Sequence, residues 1–490
     1  MRVVFVHTPM ATVPVPERRR FWRNFDIQYH STHPELRHMK RVLWELPHWM
    51  HWLGGVLEAA GYDDLRVLDF YSDDAAMIDG THLNAAVVDA AVRREAGDVY
   101  LFSPMTPNLH MAYEVAEIIK KANPDATTVF GGVIATPMRE RVAAHPAVDF
   151  VVYDRGEVAL PALLDAIVDR GKLAAVGNLT YQDGGQSRTN AGRYQALHPK
   201  EIPFPKVDLF PRSAGSDIRY LRQVYALGCP YKCTFCTIQT IGQKPSYFPV
   251  DRVLDEIDAY RARYGGHHGI YWGDETFTLH TPRTLELCEA LELRGDIQYD
   301  CQTRLNRLTE ERVLAALKRS GCQWIEIGIE TGAQESQDIH KNRMRVNAID
   351  ETLKQIRDAG LAACAFAVNG FPEQSPDDMR RSIDWLCDLI SRDLLQASYL
   401  FGLVPYPGSA MYENPESFGM SLLHEDYARY HEDLPPVFST AKAGPDEAYD
   451  VFIEGLDCLA DAMEKTPYFG KAPDNDDLDA FGAFWSGAHV

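Results

Sequence analysis

Three cysteines with C-x-x-x-C-x-x-C spacing are the residues of this chain with the clearest capacity for chemistry. They are Cys229, Cys233 and Cys236, in the run ALGCPYKCTFCTIQ, directly after a stretch that predicts a strand. Thiolates are the usual ligands of iron–sulfur clusters, and this spacing lets one loop bind three irons of a [4Fe-4S] cubane. The fourth iron then has no protein ligand, so it is open to a substrate or cosubstrate.

A zinc site is the main alternative for these cysteines. Zinc usually takes four ligands, arranged as two separated pairs, and no second cysteine pair follows in the sequence. An iron–sulfur electron carrier is a further alternative, but a carrier usually closes all four iron sites with protein ligands. The remaining cysteines are isolated, and we interpret each as a small buried hydrophobic residue. They are Cys288, Cys301, Cys322, Cys364, Cys387 and Cys458.

The cysteine motif resembles the signature of the radical S-adenosylmethionine (SAM) superfamily, in which an aromatic residue, here Phe235, precedes the last cysteine. The resemblance implies that Phe235 lies among the cofactor-binding residues and that SAM binds the open iron through its amino and carboxylate groups. It also implies that one electron from the cluster cleaves SAM to methionine and a 5′-deoxyadenosyl radical.

Further residues resemble the SAM-binding positions of that superfamily, and they come in the expected order. The stretch GDET resembles a Gly-Gly-Glu-like strand end that holds the methionine amino group, which implicates Gly273, Asp274 and Glu275. Arg304 looks like the partner of the SAM carboxylate, a charge-assisted pairing. Glu330 resembles the acidic residue that binds the ribose or amine of SAM. A single carboxylate is more often solvated or salt-bridged, so this prediction depends on matches at successive strand ends.

The elements that must position these residues lie between about 215 and 400. The strand candidates are RQVYALG, GIYWGDETF, IQYDCQTRL, WIEIGIETG and AACAFAVNGF, each followed by a helix-forming stretch. Five or six such units predict a complete or partial (β/α) barrel, with its chemistry on the loops after the strands. The cysteines and the SAM-binding candidates fall at such positions.

The first part of the chain, residues 1 to about 195, predicts a doubly wound α/β domain. Short runs rich in β-branched residues (VVFVHTP, LRVLDFY, DVYLFSPM, TTVFGGV and VDFVVYD) alternate with helical stretches. A polar, Gly-rich stretch, GNLTYQDGGQSRTNAG, then predicts a β-hairpin before a linker. A sheet of this kind binds ligands at the carboxyl ends of its strands.

The stretches DVYLFSPMTPN, FGGVIATP and DFVVYDRGE resemble the cobalamin (B12)-binding domain that is fused to many radical SAM enzymes. Gly131 and Gly132 follow a strand and permit close approach of a large ligand, and Ser103 and Thr106 are candidates to hydrogen-bond its tail. The sequence has no D-x-H-x-x-G motif for a lower axial histidine. Glycines also occur at such positions simply to make a tight turn, so a vestigial domain is the alternative.

A long insertion rich in Trp, His and Arg, from Arg18 to Trp52, follows the first strand. A loop of this length at a strand's carboxyl end is usually functional or disordered, and its aromatic residues favour a function. An amphipathic helix that packs on the sheet or on the second domain is the alternative. The tryptophans could also fill the cavity that a corrin would need.

The net charge of −21 argues against nucleic acid or a membrane surface as a partner, since both require clustered Lys and Arg. The opening MRVVFVHTPM does not resemble a signal peptide or a membrane span, so we expect a cytoplasmic protein. We expect residues 401–490, which end in an acidic tail, to cover the substrate. Their carboxylates would suit an amine-bearing substrate, although a solvated face is the commoner use of such charge.

Two functions are consistent with these features. The first is a cobalamin-dependent radical SAM methyltransferase that methylates an unactivated carbon of a small polar metabolite. The second is a radical SAM dehydratase of a polyol or aminoglycoside, similar to the paromamine dehydratase of apramycin formation, which does not use cobalamin. An anaerobic cyclase of the magnesium-porphyrin type is a third option. Each of these needs an external electron donor, of the flavodoxin or ferredoxin type.

The two leading functions differ in what occupies the space above SAM. A methyltransferase needs the corrin there, whereas a dehydratase needs a base or a hydrogen donor. In both, the protein must hold the target C–H bond near the radical and exclude water. The candidate base or hydrogen donor is one of His48, His51, Tyr225 and Tyr247.

Overall fold

The computed structural model describes residues 1–10, 46–78, 82–216, 220–240, 242, 244–265, 269–341 and 344–466. The predicted insertion is therefore described only from Leu46 onward; its part from 18 to 45, like the tail after 466, lies outside the described residues. Two large sheets organise the described part of the chain, one of seven strands and one of six. No helix within that part is both long and apolar enough to cross a membrane.

The first sheet is built from the short strands that the sequence predicts. Its strand order is β2-β1-β3-β4-β5-β6-β7, and the five strands from β2 to β5 pair in parallel, which confirms the doubly wound α/β fold. The strands are β1 (Val3–His7), β2 (Leu65–Asp69), β3 (Val99–Phe102), β4 (Thr127–Phe130), β5 (Phe150–Val152), β6 (Leu179–Asp183) and β7 (Gln186–Thr189).

The predicted hairpin is formed by β6 and β7, which pair antiparallel. Its turn consists of Gly184 and Gly185, with φ values of 60° and 83°. A two-residue turn of this hand requires positive φ at both positions, which glycine adopts at little cost. Because β6 also pairs antiparallel with β5, the hairpin extends the parallel sheet at one edge.

Helices cover both faces of this sheet, because successive side chains of each buried strand point to opposite faces. Val3 and Phe5 of β1 belong to one apolar core, and Val4 and Val6 belong to another. The helices are α1 (His48–Ala59), α2 (Ala85–Arg94), α3 (Leu109–Ala122), α4 (Gly132–Ala135), α5 (Arg139–Ala143) and α6 (Gly156–Val168).

The second sheet is entirely parallel, and its strand order follows the chain, as in a partial barrel. Each strand is followed, directly or after an intervening segment, by one or more helices. The strands are β8 (Tyr220–Gln223), β9 (Gly269–Trp272), β10 (Tyr299–Thr303), β11 (Cys322–Glu330), β12 (Ala362–Asn369) and β13 (Ala397–Gly402). The helices are α7 (Val250–Tyr264), α8 (Thr281–Arg294), α9 (Glu311–Arg319), α10 (Gln334–His340), α11 (Ile349–Asp358), α12 (Pro376–Ser391), α13 (Ala410–Glu413) and α14 (Pro445–Glu464).

The region after β13 has two parts with different locations. Helix α14 packs against α12 and β13, so it belongs to the outer layer of the barrel rather than to a cover over its opening. The part before it contains a short antiparallel ribbon of Met420–Leu422 with Phe438–Thr440. Tyr427 and Tyr430 of that part belong to one of the apolar cores of the first domain, so this region connects the two domains.

Candidate functional site

The loop that carries the three cysteines starts directly after β8 and turns back on itself. Ala226–Leu227 pairs antiparallel with Ser246–Tyr247, which closes the base of the loop. Gly228 has a φ of 85°, and a Cβ there would lie 2.9 Å from the carbonyl oxygen of Lys244. A side chain at this position would force the backbone to move. The glycine before the first cysteine therefore fixes the start of the cluster loop, which we define as residues 229–236.

The three thiols share a largely buried environment. Cys229 and Cys233 are 7% and 8% exposed, and all three cysteines are free of disulfides. Burial, reinforced by the neighbouring thiols, raises the pKa of Cys236 to about 11. This thiol therefore ionises at neutral pH only when a cation such as a metal stabilises the thiolate. The donor set fits an iron–sulfur cluster.

Backbone hydrogen bonds hold the cluster loop in shape. The amide of Cys229 donates to Gly242 at 3.3 Å, and that of Cys236 donates to Cys233 at 3.2 Å. No three His, Cys, Asp or Glu side chains of the described residues converge closely enough to hold a single metal ion. A cubane has a different requirement, since each thiolate binds a different iron and the sulfurs do not meet at one point.

Arg304 follows β10 and lies against the cluster loop. Its Nη1 donates to the Sγ of Cys233 at 3.1 Å, and its Nη2 donates to the carbonyl oxygen of Lys341 at 2.7 Å. Its guanidinium carbon lies 3.9 Å from the centroid of the Tyr231 ring. A buried guanidinium at this position stabilises negative charge on the sulfur. Its predicted contact with the SAM carboxylate stays a prediction.

Glu330 ends β11 with a φ of 65°, a conformation that is rare for a residue other than glycine. Its carboxylate forms a buried ion pair with the Nζ of Lys341. Gly328 makes room for this pair, since a Cβ there would lie 2.5 Å from that nitrogen. The strained backbone therefore aims a charged pair at the edge of the cluster loop, where the resemblance predicts that Glu330 binds SAM.

The residues of the GDET stretch have three different environments. Asp274 is fully buried, accepts hydrogen bonds from the amides of Tyr225 and Ala226, and has a pKa raised to about 8 by burial. Burial also raises the pKa of Glu275, which lines a cavity between the two domains. A Cβ on Gly273 would lie 2.6 Å from the Nη1 of Arg222. Asp274 thus joins the end of β9 to the segment that leads into the cluster loop.

A chain of three hydrogen-bonded side chains begins at Thr234 of the cluster loop and continues through His340 to Glu373. The Nε2 of His340 is 2.9 Å from a carboxylate oxygen of Glu373, and its Nδ1 is 2.8 Å from the hydroxyl of Thr234. A carboxylate only accepts, so Nε2 carries the proton that it donates to Glu373, while Nδ1 forms the bond to Thr234. Burial acts to raise the pKa of Glu373, but the bond to His340 holds it below its usual value. The imidazole also stacks on Phe371, with ring centroids 4.8 Å apart.

A cavity of about 500 Å³ lies between the two domains, at the carboxyl ends of both sets of strands. Its first-domain wall includes Ser103, Gly131 and Gly132, and its barrel wall includes Gly228 and Glu275. Apolar walls with a few polar groups at strand ends are typical of cofactor sites. The remaining apolar lining residues are Trp49, Trp52, Leu53, Leu101, Phe102, Val129, Phe130, Val152, Leu160, Val224, Leu227 and Ile238.

The glycine pair shapes the first-domain wall. Gly132 has a φ of 84°, and a Cβ on it would lie 2.3 Å from the hydroxyl oxygen of Ser103. The absence of a side chain thus lets a polar strand-end group face the cavity, which fits a large ligand with polar appendages. Thr106 is buried at the start of α3, and the cavity lining does not include it.

Comparison with known protein families decides the assignment. Residues 224–386 match the family described as "Radical SAM superfamily", and residues 45–164 match the family described as "B12 binding domain". Residues 224–386 are therefore a radical SAM domain, and residues 45–164 are a B12-binding domain that precedes it. The cofactors that these two domains imply are a [4Fe-4S] cluster, SAM and cobalamin.

Relatives with related descriptions cover most of this radical SAM chain. An uncharacterised methyltransferase from Pyrococcus horikoshii is 27% identical over 69% of this chain and 74% of its own length. The anaerobic magnesium-protoporphyrin IX monomethyl ester cyclase of Rubrivivax gelatinosus is 25% identical over 70% of this chain, which spans only 63% of that relative. The structure of the radical SAM methyltransferase TsrM from Kitasatospora setae aligns with a TM-score of 0.70 at 15% identity, covering 99% of this chain and 96% of TsrM. That last likeness establishes the fold.

The four candidates for a base or hydrogen donor are dispersed in this radical SAM structure. His48 lines the cavity between the domains. His51 is fully buried, with its Nε2 3.2 Å from the hydroxyl of Tyr264. The phenol of Tyr225 is buried and donates to the carbonyl oxygen of Arg283 at 3.0 Å, and Tyr247 packs beside it. The cavity lining includes neither tyrosine nor His51, so their predicted roles stay predictions.

Sequence reasoning missed several residues of the radical SAM site. Lys341, His340 and Glu373 contact the cluster loop or its supports, although they lie about 100 or more residues after it. Arg155 and Glu157 form an ion pair of 2.7 Å in the cavity wall. A signal for this pair was present in the RGE sequence after β5. Glu373 lies in FAVNGFPEQSPDD, a stretch that resembles a Gly-Phe-Pro-Gly-Glu segment of the superfamily but has Glu373 where Gly is common. His340 and Lys341 follow no motif, so the sequence carried no signal for them.

Proposed function

We propose that this chain is a cytoplasmic, cobalamin-dependent radical SAM methyltransferase that methylates an unactivated carbon of a small polar metabolite. One observation carries the proposal: Gly131 and Gly132 of the cobalamin-type domain and Gly228, next to Cys229, line the same cavity. Two cofactors bound at these positions would face a common space. A methyl group and a substrate radical must meet in such a space.

When bound, the cluster and SAM would supply a hydrogen-abstracting radical, and cobalamin would supply the methyl group. The chain supplies positioning and the exclusion of water. Most of the cavity surface is apolar, with Trp49, Trp52 and Leu160 among its lining residues, and an apolar lining disfavours water beside a radical.

Charged side chains around the cluster loop are suited to hold SAM. Arg304 supplies a fixed cation for a carboxylate, and Glu330 supplies a carboxylate for an amine or ribose hydroxyl. In this structure Glu330 is paired with Lys341. SAM carries both a cationic amine and a carboxylate, so it can exchange partners with this pair without leaving a buried charge uncompensated.

A dehydratase that does not use cobalamin has less support. Such an enzyme would not need the match to the cobalamin-binding family, nor a cavity shared by the two domains. The similarity to an anaerobic cyclase favours that reaction as a second candidate, because the cyclase has a comparable extent of alignment. In each case we propose that the single electron comes from an external carrier of the flavodoxin or ferredoxin type.

The test is anaerobic turnover of the reconstituted protein with SAM labelled in its methyl group. We expect 5′-deoxyadenosine and S-adenosylhomocysteine to form together when a substrate is present. One SAM donates its methyl group and leaves S-adenosylhomocysteine, and another is the source of the radical and leaves 5′-deoxyadenosine. The Cys233→Ala variant is the matched control and should form neither. Formation of 5′-deoxyadenosine without transfer of label would reject methylation and favour dehydration or cyclisation.

A further inference from the structure

Charge is unevenly distributed around the cluster loop. The chain has 70 Asp and Glu residues among 490, yet residues 218–250 contain none. That stretch includes the whole cluster loop and Lys232. A carboxylate occurs on average about once in seven residues of the chain, so this absence leaves a locally basic segment in an acidic protein.

The cluster loop reaches the surface between its first two cysteines. Pro230 and Lys232 are exposed and Tyr231 is half-buried, whereas Cys229 and Cys233 on either side are buried. The Cα of Lys232 is about 3.8 Å from that of Cys233, the spacing of consecutive residues. This surface is therefore only one residue away from a cluster ligand.

Arg307 adds a second exposed cation to this surface. Its Nε donates to the phenol oxygen of Tyr231 at 2.5 Å. Glu310 and Glu311 are the next acidic residues along the chain, and the carboxylate of Glu310 is 2.7 Å from Arg312, which offsets its charge. The two exposed charged side chains beside Tyr231, Lys232 and Arg307, are thus both cationic.

Packed side chains connect this surface to the cluster ligand. The phenol oxygen of Tyr231 accepts a hydrogen bond from Arg307. The face of the same ring packs on Arg304, with the guanidinium carbon 3.9 Å from the ring centroid. The same guanidinium donates to the Sγ of Cys233 at 3.1 Å. The path from Arg307 to the sulfur is therefore continuous, without an intervening gap.

From these observations we infer that Pro230–Lys232 and Arg307 form the docking surface of an acidic one-electron carrier protein. The inference rests on the proposed function, because it requires a cluster that is reduced. The carrier is oxidised by one electron and the cluster is reduced by the same electron; no atom moves and no bond forms. A chain of charge −21 repels an acidic partner overall, so approach is favourable only where a basic patch steers it.

The test is the rate at which a reduced bacterial flavodoxin, the acidic probe, reduces the reconstituted cluster. Arg307→Glu, outside the cluster loop, should slow this reduction at least about tenfold at low salt, and the difference should shrink as added salt screens the charges. Reduction by dithionite, and the electron paramagnetic resonance spectrum of the reduced cluster, should not change. Lys121→Glu is the matched control, since it makes the same change in charge on the exposed end of α3, in the first domain.

Three results would overturn the inference. The first is an equal rate for wild type and Arg307→Glu, and the second is equal slowing by Lys121→Glu, which would indicate net charge alone. The third is reduction by flavodoxin that is independent of salt. A wild-type chain that acquires no cluster would overturn the proposed function together with the docking surface, whereas normal reduction by dithionite separates the two failures.

Discussion

At the scale of single residues, the site depends on positions where a side chain is absent or held in an unusual conformation. Gly132 and Gly228 have positive φ and leave space that a Cβ would fill. Glu330 adopts a similar backbone conformation with a full side chain. Such strain persists only where surrounding contacts enforce it, and it clusters at functional sites.

Gly132→Ala should weaken retention of cobalamin. The new Cβ would clash with the hydroxyl of Ser103 in the cavity wall, and positive φ costs an alanine about 1–2 kcal/mol. The measurement is the corrin absorbance that remains after desalting. Gly185→Ala is the control, because its φ is also positive but it lies on the exposed hairpin turn with nothing within 4 Å. Equal retention by the two variants would contradict the assigned site.

His340→Phe should loosen the cluster loop. The ring can still stack on Phe371, but Thr234 and Glu373 each lose a hydrogen-bond partner. An unsatisfied buried group costs about 1–3 kcal/mol, and these two partly buried groups should cost less. We expect faster loss of iron to a chelator. Glu373→Gln keeps a neutral acceptor for the imidazole, so it should lose iron more slowly than His340→Phe; the opposite order would refute the proposed support.

At the scale of elements, α1 contacts the second domain through several side chains, among them the buried His51. The Nε2 of His51 faces the hydroxyl of Tyr264 in α7, and its ring stacks on Phe210 with centroids 5.2 Å apart. Burial, with a smaller contribution from His48, lowers the pKa of His51 to about 3. The native protein therefore requires a neutral imidazole at this contact.

Acid should weaken the protein through His51. The unfolded chain takes up a proton near pH 6.5 while the folded chain resists until about pH 3, so stability is lost as the pH falls through this range. At pH 5 the free energy of unfolding should be lower by about 2 kcal/mol for this reason. Denaturant titrations of His51→Phe should therefore show a smaller decrease in the free energy of unfolding with falling pH than those of the wild type. His198→Asn, at an exposed position, should follow the wild type; identical pH profiles for all three proteins would refute the assignment.

The strands and the hairpin could be predicted from the sequence more readily than the side-chain contacts between successive elements. The β-branched runs and the turn at Gly184–Gly185 identify strands and a hairpin because their physical causes are local. The cysteine spacing was equally local. The pairing of Glu330 with Lys341, and of Thr234 with His340, depends instead on how successive βα units pack, and nothing near these residues in sequence signals it. The predicted domain limits near 195, 215 and 400 stay predictions.

At the scale of the whole molecule, the region after β13 connects the domains. The Arg141 guanidinium carbon lies 4.8 Å from the ring centroid of Tyr427, and its Nη1 donates to the phenol oxygen at 3.1 Å. The phenol oxygen of Tyr427 also lies 2.8 Å from that of Tyr412. These contacts join the region after β13 to the first domain.

Tyr427→Ala should uncouple the two domains. Loss of a buried aromatic side chain typically costs about 3–5 kcal/mol, and here the loss falls at the contact between domains. Calorimetry should resolve two unfolding transitions where the wild type shows one. Tyr427→Phe, which keeps the ring but not the hydroxyl, should unfold in a single transition at slightly lower temperature. A single transition for the alanine variant as well would show that other contacts hold the domains together.

We propose that one chain holds an iron–sulfur cluster and a corrin on opposite walls of one cavity. Elemental analysis can test this in protein that is reconstituted without oxygen with iron, sulfide and hydroxocobalamin, and then desalted. We expect about four irons and one cobalt per chain, with the iron lost in Cys233→Ala. Zinc in place of iron, or iron without cobalt, would contradict it.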